Sequence, residues 1–305
     1  MAVYEQTYKR YEGPLTPEWS RFLIIPRYAF RSVFKSKLFS VFFVICFLPL
    51  LAEAILIYLH HNISALAIMK INVREIIPID ASFFQTFVTI QGAFAFFVAL
   101  LVGPPLVARD LRNNALPLYL CRPFSRTEYV MGKMSVLLIL LSFITWIPQL
   151  LLFALQSYLE GFTWFRDNLW IANSILICSV VWILLLSLLS QAISALLKWR
   201  VVASGAILGI FFIPLAFSQI INVIFSTRWG SLISLFSLIN NVSSGLFGNF
   251  SGVAETFEYT DMNGRDVQIL ITQPPLWLSW AVICSVCLMC LALLSWKVKA
   301  YEVVK

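Results

Sequence analysis

Six long apolar stretches, separated by polar segments, dominate the pattern of this chain. They cover about residues 38–59, 83–106, 134–157, 169–196, 201–225 and 276–296. A helix needs about 20 apolar residues to cross the hydrocarbon core of a bilayer, and lipid offers the backbone no other hydrogen-bonding partner. The pattern therefore predicts an all-α, polytopic membrane protein with six transmembrane helices. Kinks are expected at Pro49, Pro148 and Pro214.

The composition supports a membrane protein. Of 305 residues, 60% are apolar and 12% are charged, whereas a soluble domain has about 25% charged residues. Five of the six cysteines lie within apolar runs, so we expect buried thiols and no disulfide framework. The basic residues lie beside the spans and do not cover one soluble face, which argues against nucleic acid as a partner.

The distribution of basic residues predicts the orientation. If both termini are cytoplasmic, the inner segments hold 17 Lys and Arg residues and the outer segments hold 5. Such an excess of Lys and Arg is typical of cytoplasmic loops. The sequence thus predicts N-in and C-in, with residues 1–37 as the cytoplasmic N-terminus and residues 38–305 as the transmembrane domain.

Two polar segments contain further predicted elements. In the segment of about residues 20–37, aromatic and basic side chains alternate along the sequence. This pattern favours an amphipathic helix in the inner headgroup layer. The alternative is an ordinary basic flank. Residues 226–275 form the longest outer segment, and its apolar half, 232–250, is predicted to be a re-entrant or interfacial helix. Asn240 and Gly245 argue against a seventh span.

The cytoplasmic loop 107–133 is too long for a simple turn. Apolar and charged residues alternate in it, which indicates one or two short helices broken at Pro117 and Pro123. A short helix between two spans can dock into a groove of another protein. The loop also carries an ordered series of motifs, namely Asp110 after Pro104-Pro105, then Ala115-Leu116, Leu120-Cys121-Arg122-Pro123-Phe124-Ser125-Arg126, Tyr129 and Gly132-Lys133.

This series, in this topological position, resembles the permease subunit of ABC-2-type transporters, although Asp110 stands where Glu is commoner. The resemblance implies a permease half that pairs with separate ATP-binding subunits and forms a homodimer or heterodimer in the cytoplasmic (inner) membrane. It also implies that ATP and Mg²⁺ bind to the partner and that this chain binds no cofactor. The loop would be the ATPase-coupling segment, with polar contacts from Asp110, Arg112, Arg122, Arg126 and Glu128. Alternatively, these arginines only enforce topology and bind anionic membrane lipid.

Motifs of catalysis and metal binding are absent from the sequence. There is no GxxxxGK[ST] phosphate loop, since Gly132-Lys133 is followed by Met134, and no HExxH or GxSxG motif. Cys284, Cys287 and Cys290 have a spacing found among iron–sulfur ligands, but they lie within a span, so we expect packing residues. Adjacent His60 and His61 are expected to lie at the interface. No catalytic or metal site is predicted.

Polar residues within the spans are the remaining candidates, because burying them in lipid is costly. Polar residues recur every seven positions in the third span, and a similar set lies in the fourth span with Ser187, Gln191 and Ser194. Glu53, Ser142, Gln149, Gln156 and Gln191 are candidates for a translocation path or dimer seam, although for the sets in the third and fourth spans packing through ordinary interhelical hydrogen bonds is the favoured interpretation. Gly205-x-x-x-Gly209 would permit close helix approach in the fifth span.

The resemblance implies an ATP-driven transport subunit and leans towards export, and the apolar spans favour an amphiphile, lipid or drug as the substrate. Two alternatives belong to other classes of protein. One is an intramembrane enzyme or regulatory membrane subunit without transport activity. The other is a lone secondary transporter, which the absence of a repeat between the two halves disfavours. The sequence fixes neither the substrate nor the direction of transport.

Overall fold

The computed structural model describes residues 23–62, 78–113, 126–197, 199–250, 254–260 and 266–297. Six helical segments, two of them broken into two helices each, are long and apolar enough to cross a membrane. They overlap the six predicted spans and are Lys37–His61, Ala81–Asp110, Thr127–Glu160, Phe162–Leu196, Arg200–Ile224 and Leu276–Lys297. The prediction of an α-helical protein with six spans is confirmed. The N-in, C-in orientation stays a prediction, and we use it to label the cytoplasmic and outer ends.

Ten α-helices make up the described part of the chain. They are α1 (Ile24–Phe34), α2 (Lys37–Ile45), α3 (Leu48–His61), α4 (Ala81–Arg112), α5 (Arg126–Ile144), α6 (Trp146–Glu160), α7 (Phe162–Leu196), α8 (Arg200–Ile224), α9 (Leu235–Leu246) and α10 (Leu276–Lys297). The first span consists of α2 and α3, and the third of α5 and α6. Pro49 and Pro148 each lie in the first turn after the break in their span, as expected for a residue without an N–H. Pro214 lies inside the continuous α8.

The second and fourth spans, α4 and α7, form the centre of the bundle. The indole Nε1 of Trp182 donates to the carbonyl of Gly92 at 2.7 Å. At Gly103, an added Cβ would lie 1.8 Å from the Ser190 hydroxyl oxygen. Glycine is therefore required at Gly103 for the two helices to approach this closely. Around these contacts, an apolar core joins side chains from nearly every span.

The cytoplasmic end of α4 continues through Pro104 and Pro105, where we predicted that the span would end near residue 106. Because Pro104 has no N–H, the Leu100 carbonyl lacks its usual helical donor. The Ser204 hydroxyl of the fifth span donates to that carbonyl instead, at 3.5 Å. The Ser194 hydroxyl donates to the Pro104 carbonyl at 2.7 Å and accepts from the Ala108 amide at 2.8 Å. Neighbouring helices thus satisfy the backbone around the proline pair.

The predicted loop 107–133 is shorter than expected at both ends. The helix α4 extends to Arg112, and α5 begins at Arg126. The helices predicted between them, broken at Pro117 and Pro123, lie outside the described residues.

The outer segment before the sixth span contains a short helix and a hairpin. The helix α9 has 12 residues, too few to cross the bilayer, and it packs against the spans α7, α8 and α10. This agrees with the expected short helix in the apolar half. The strands β1 (Ala254–Thr260) and β2 (Asp266–Thr272) pair antiparallel, with Ala254 opposite Thr272. The sequence analysis did not predict this hairpin.

The helix α1 lies within the predicted range 20–37 and packs against α5. Ile25 and Pro26 are buried on one side, while Arg27 and Arg31 are exposed. The helix is therefore amphipathic with respect to the bundle. Its position in the headgroup layer stays a prediction.

Candidate functional site

Three side chains join the ends of the second and third spans at the cytoplasmic end. The Lys133 Nζ lies 2.8 Å from Asp110 Oδ2, and the Tyr129 hydroxyl donates to the same oxygen at 2.9 Å. Asp110 lies in the last turn of α4, whereas Tyr129 and Lys133 lie four residues apart on one face of α5. We call this cluster the loop anchor, because it joins the two helices that enter and leave the cytoplasmic loop.

The loop anchor is largely shielded from solvent. The side chain of Lys133 is 9% exposed, that of Asp110 is 15% exposed, and Tyr129 is 1% exposed. Lys133 Nζ also lies 5.6 Å from the centre of the Tyr129 ring, within the range of a cation–π contact. Removing one partner of such a pair leaves an uncompensated charge, which costs much more than losing an exposed pair.

The predicted coupling residues have different surroundings in the structure. Asp110 belongs to the loop anchor and is partly buried. Arg112 is exposed, and its Cζ lies 5.0 Å from the centre of the Trp199 ring, at the start of the fifth span. Glu128 lies in the first turn of α5, where the helix dipole favours an acid. Arg122 and the side chain of Arg126 lie outside the described residues.

Tyr129 and Lys133 were not among the predicted site residues, although both belong to the motif series. Their signal in the sequence was the i,i+4 spacing at the start of a span, opposite an acid at the end of the preceding span. A buried lysine at that position requires a carboxylate partner.

A second polar contact joins the first and third spans within the membrane region. Gln149 Nε2 donates to Glu53 Oε2 at 2.8 Å, and the two residues are 1% and 0% exposed. Nearer the outer end, His61 Nε2 lies 3.0 Å from Glu160 Oε1 and joins the same two helices, α3 and α6. Glu53 and Gln149, both predicted, thus contact each other. A hydrogen bond of this kind is typical of helix–helix packing in membranes, and it fits that role as well as a place in a translocation path.

The other predicted pathway residues do not join this pair by a hydrogen bond between described residues. Gln156 and Gln191 are buried, and in the described part of the chain the Oε1 of each lacks a hydrogen-bond partner. Ser142 is half-buried on α5 and is separated from Gln149 by the helix break at Thr145. The seven-residue repeat of the third span is therefore divided between two helices. Whether these residues line a path or a dimer seam stays a prediction.

The structure also contains two cavities of interest. One, of about 620 Å³, lies at the cytoplasmic end and is bordered by α1, α2, α4 and the loop anchor. The other, of about 200 Å³, lies between the second and fifth spans and α9, and its lining is entirely apolar. That lining is Ala93, Phe96, Phe97, Phe211, Phe212, Leu215 and Phe236.

A comparison with protein-family models gives one finding that bears on these sites. The model described as "ABC-2 family transporter protein" matches residues 24–296. A comparison with individual curated protein sequences gives no significant match. Because the family model matches most of the chain, the chain belongs to the ABC-2 transporter family, whose members are multi-pass membrane components of ABC transporters.

Proposed function

We propose that this chain is the permease half of an ATP-driven exporter, in which separate ATP-binding subunits act on the cytoplasmic loop between the second and third spans. The family membership supports a permease subunit. The ATPase partner, the use of loop 107–133 as the contact and the substrate are our proposals. In the working transporter, ATP and Mg²⁺ bind to the partner, and two permease halves, identical or different, meet in the cytoplasmic membrane.

The loop anchor is the observation that carries this proposal. A loop that receives a push from a partner transmits it only if both of its ends are firmly attached to the spans. The ion pair between Lys133 Nζ and Asp110 Oδ2, at 2.8 Å, provides such an attachment. Movement of the loop is then shared by the second and third spans.

The second span passes this movement to the centre of the bundle. Four residues after Pro104, the Ala108 amide donates to Ser194 of the fourth span, and Gly103 packs closely against Ser190. Helices in such close contact move together because packed interiors deform little. We infer that the second and fourth spans follow the loop as one unit.

The 200 Å³ cavity supports a hydrophobic or amphiphilic substrate. Its lining is apolar and mostly aromatic, and concave apolar surfaces of this kind suit hydrocarbon chains and aromatic drugs. We propose that the exported compound carries a substantial apolar part.

Co-purification tests the partnership. The tagged chain is extracted from its native membrane in mild detergent, and the eluate is assayed for a co-purifying ATP-binding subunit and for ATP hydrolysis. We expect both with the natural sequence. Replacing Arg122 and Arg126 by Glu should remove both, because it reverses two charges in the proposed contact.

A matched control separates a specific contact from general loss of positive charge. Replacing Arg27 and Arg31 by Glu reverses two exposed charges of α1 at the same end of the molecule but outside the loop. This variant should retain the ATPase. If the natural chain never co-purifies with an ATPase, or if both variants lose it equally, the proposal is wrong.

A further inference from the structure

The cytoplasmic cavity has the size of a ligand site. Its volume is about 620 Å³, within the range of about 300–1,000 Å³ that is typical of small-molecule pockets. Four elements border it: the amphipathic helix α1, the start of α2, the cytoplasmic half of α4 and the loop anchor of α5. Arg200, the first residue of the fifth span, completes the lining.

The charged groups of this cavity favour an anion. Its lining contains three cationic side chains, Arg109, Lys133 and Arg200, and one acid, Asp110. Asp110 is already paired with Lys133. Among the described residues, neither Arg109 nor Arg200 forms an ion pair. Arginine presents a planar group of donors that matches the oxygens of a phosphate.

The apolar part of the lining indicates that the anion has a hydrocarbon portion. Leu101, Val102 and Leu106 contribute one face from α4, and Leu38 contributes from the start of the first span. At the border, α1 leaves Ile24 47% exposed and Tyr28 69% exposed. A free phosphate ion would gain nothing from these side chains, whereas an acyl chain would remain out of water on them.

The position of the cavity also suits a lipid. It lies where the first and fifth spans begin and the second span ends, at the end of the molecule that carries most of the basic residues. With the predicted N-in orientation, these span ends would lie at the headgroups of the cytoplasmic leaflet, where anionic lipids are attracted to basic residues.

We propose that the cavity binds one anionic phospholipid of the cytoplasmic leaflet. The phosphate contacts Arg109 and Arg200, and the first part of an acyl chain lies along Leu101, Val102 and Leu106. The inference goes beyond the proposed transport function and requires no ATPase. Because Asp110 and Lys133 belong to both the cavity and the loop anchor, the bound lipid touches the joint between the loop and its two spans.

Native mass spectrometry of the delipidated, detergent-purified chain tests this proposal. The protein is titrated with phosphatidylglycerol and, separately, with phosphatidylcholine of the same acyl chains. We expect tighter binding of phosphatidylglycerol by about 25-fold, since Arg109 and Arg200 should each contribute about a fivefold gain in affinity for an anionic headgroup. The variant R109Q/R200Q should lose this preference.

Two further variants keep the test decisive. The variant R27Q/R31Q removes two exposed charges of α1 that do not line the cavity, and it should keep the preference. The variant S32W places a bulky side chain in the cavity without changing its charge and should weaken phosphatidylglycerol binding. It also decides the matter if R109Q/R200Q does not fold, as judged by size-exclusion chromatography.

Several results would overturn the proposal. One is equal binding of the two lipids by the natural chain, and another is an equal loss of preference in R27Q/R31Q and R109Q/R200Q. Displacement of the lipid by millimolar glycerol 3-phosphate would show that the site takes a soluble phosphate. A photoreactive residue at position 32 that cross-links to residues 1–22 of the chain, and not to lipid, would show that the cavity is filled by the protein itself.

Discussion

The cytoplasmic end and the outer half of the bundle hold their polar groups in opposite ways. At the cytoplasmic end, a full ion pair joins two spans, and two further arginines face a large cavity. In the outer half, the first and third spans are joined by an amide–carboxyl contact and by the pair His61–Glu160. The lining of the 200 Å³ cavity, by contrast, is entirely apolar.

This difference indicates that the two halves of the bundle have different roles. The two arginines that line the cytoplasmic cavity, Arg109 and Arg200, can attract a partner of opposite charge. The polar groups of the outer half bond to each other and hold the first and third spans together. We therefore expect the cytoplasmic end to respond to ligands and partners and the outer half to remain a fixed support. Four substitutions test this comparison, from the largest expected effect to the smallest.

The substitution Lys133→Met should have the largest effect. It removes the cation from Asp110, whose described partners are Lys133 and the Tyr129 hydroxyl, and removing one partner of a buried pair typically costs about 3 kcal/mol or more. The free energy of unfolding in detergent, measured by chemical denaturation, should fall by that amount. The matched control is Lys297→Met, at an exposed position at the end of the sixth span, which should change little. Equal effects of the two variants would contradict a stabilising loop anchor.

The substitution Gly103→Ala should destabilise the bundle by about 2 kcal/mol, a typical cost of overpacking. The new Cβ would lie 1.8 Å from the Ser190 hydroxyl oxygen, which can rotate away, and 2.9 Å from the Ser190 Cβ, which cannot, so the second and fourth spans must shift apart. Thermal unfolding measures the loss. Gly205→Ala is the control, since no atom of the described residues lies within 4 Å of a Cβ there, and alanine favours a helix by up to about 1 kcal/mol. A stable Gly103→Ala protein would show that the two spans are not tightly joined.

The substitution Gln149→Leu tests the outer half and should cost about 1–2 kcal/mol, because it leaves the buried Glu53 carboxyl without its donor. Glu53→Gln is the paired variant: an amide oxygen can still accept from Gln149, so stability should be nearly unchanged. Both are measured by thermal unfolding in detergent. If Glu53→Gln abolishes transport while leaving stability intact, the outer half is not a fixed support and the comparison fails.

The substitution Ser194→Ala should have the smallest effect, about 1 kcal/mol, in line with single hydrogen bonds in membrane proteins. It removes the hydroxyl that contacts both the Pro104 carbonyl and the Ala108 amide. Amide hydrogen exchange should rise at Ala108 and the neighbouring end of α4. Ser295→Ala is the control, because its hydroxyl donates to the Ala292 carbonyl of its own helix. Unchanged exchange at Ala108 would contradict the role of Ser194.

The spans were predictable from the sequence because each needs only length and apolar character, which a single chain displays directly. The contacts between spans were less predictable, since all faces of these helices are apolar and the sequence does not say which face meets which neighbour. Asp110 illustrates this limit. It was predicted as a contact for an ATPase, but its partner in the fold is Lys133, 23 residues further on.

The motif Gly205-x-x-x-Gly209 also shows the limit. It would permit close helix approach, yet no described atom lies within 4 Å of a Cβ at Gly205, whereas the second and fourth spans do approach closely at Gly103 and Gly92. The hairpin was missed for another reason. The sequence does contain its signal, Asn263-Gly264 between two runs rich in β-branched and aromatic residues, but the acidic character of the segment concealed it.

The break in the first span has a consequence for the biosynthesis of the protein. The helices on either side, α2 and α3, have 9 and 14 residues, and neither alone is long enough to cross the bilayer. At the break, the Cys46 carbonyl accepts a hydrogen bond from Gln91 of the second span at 2.9 Å. During synthesis, Gln91 follows the first span, so the Cys46 carbonyl can accept this hydrogen bond only after the second span has been made. Because an unsatisfied carbonyl is costly in lipid, we expect the first two spans to enter the bilayer together.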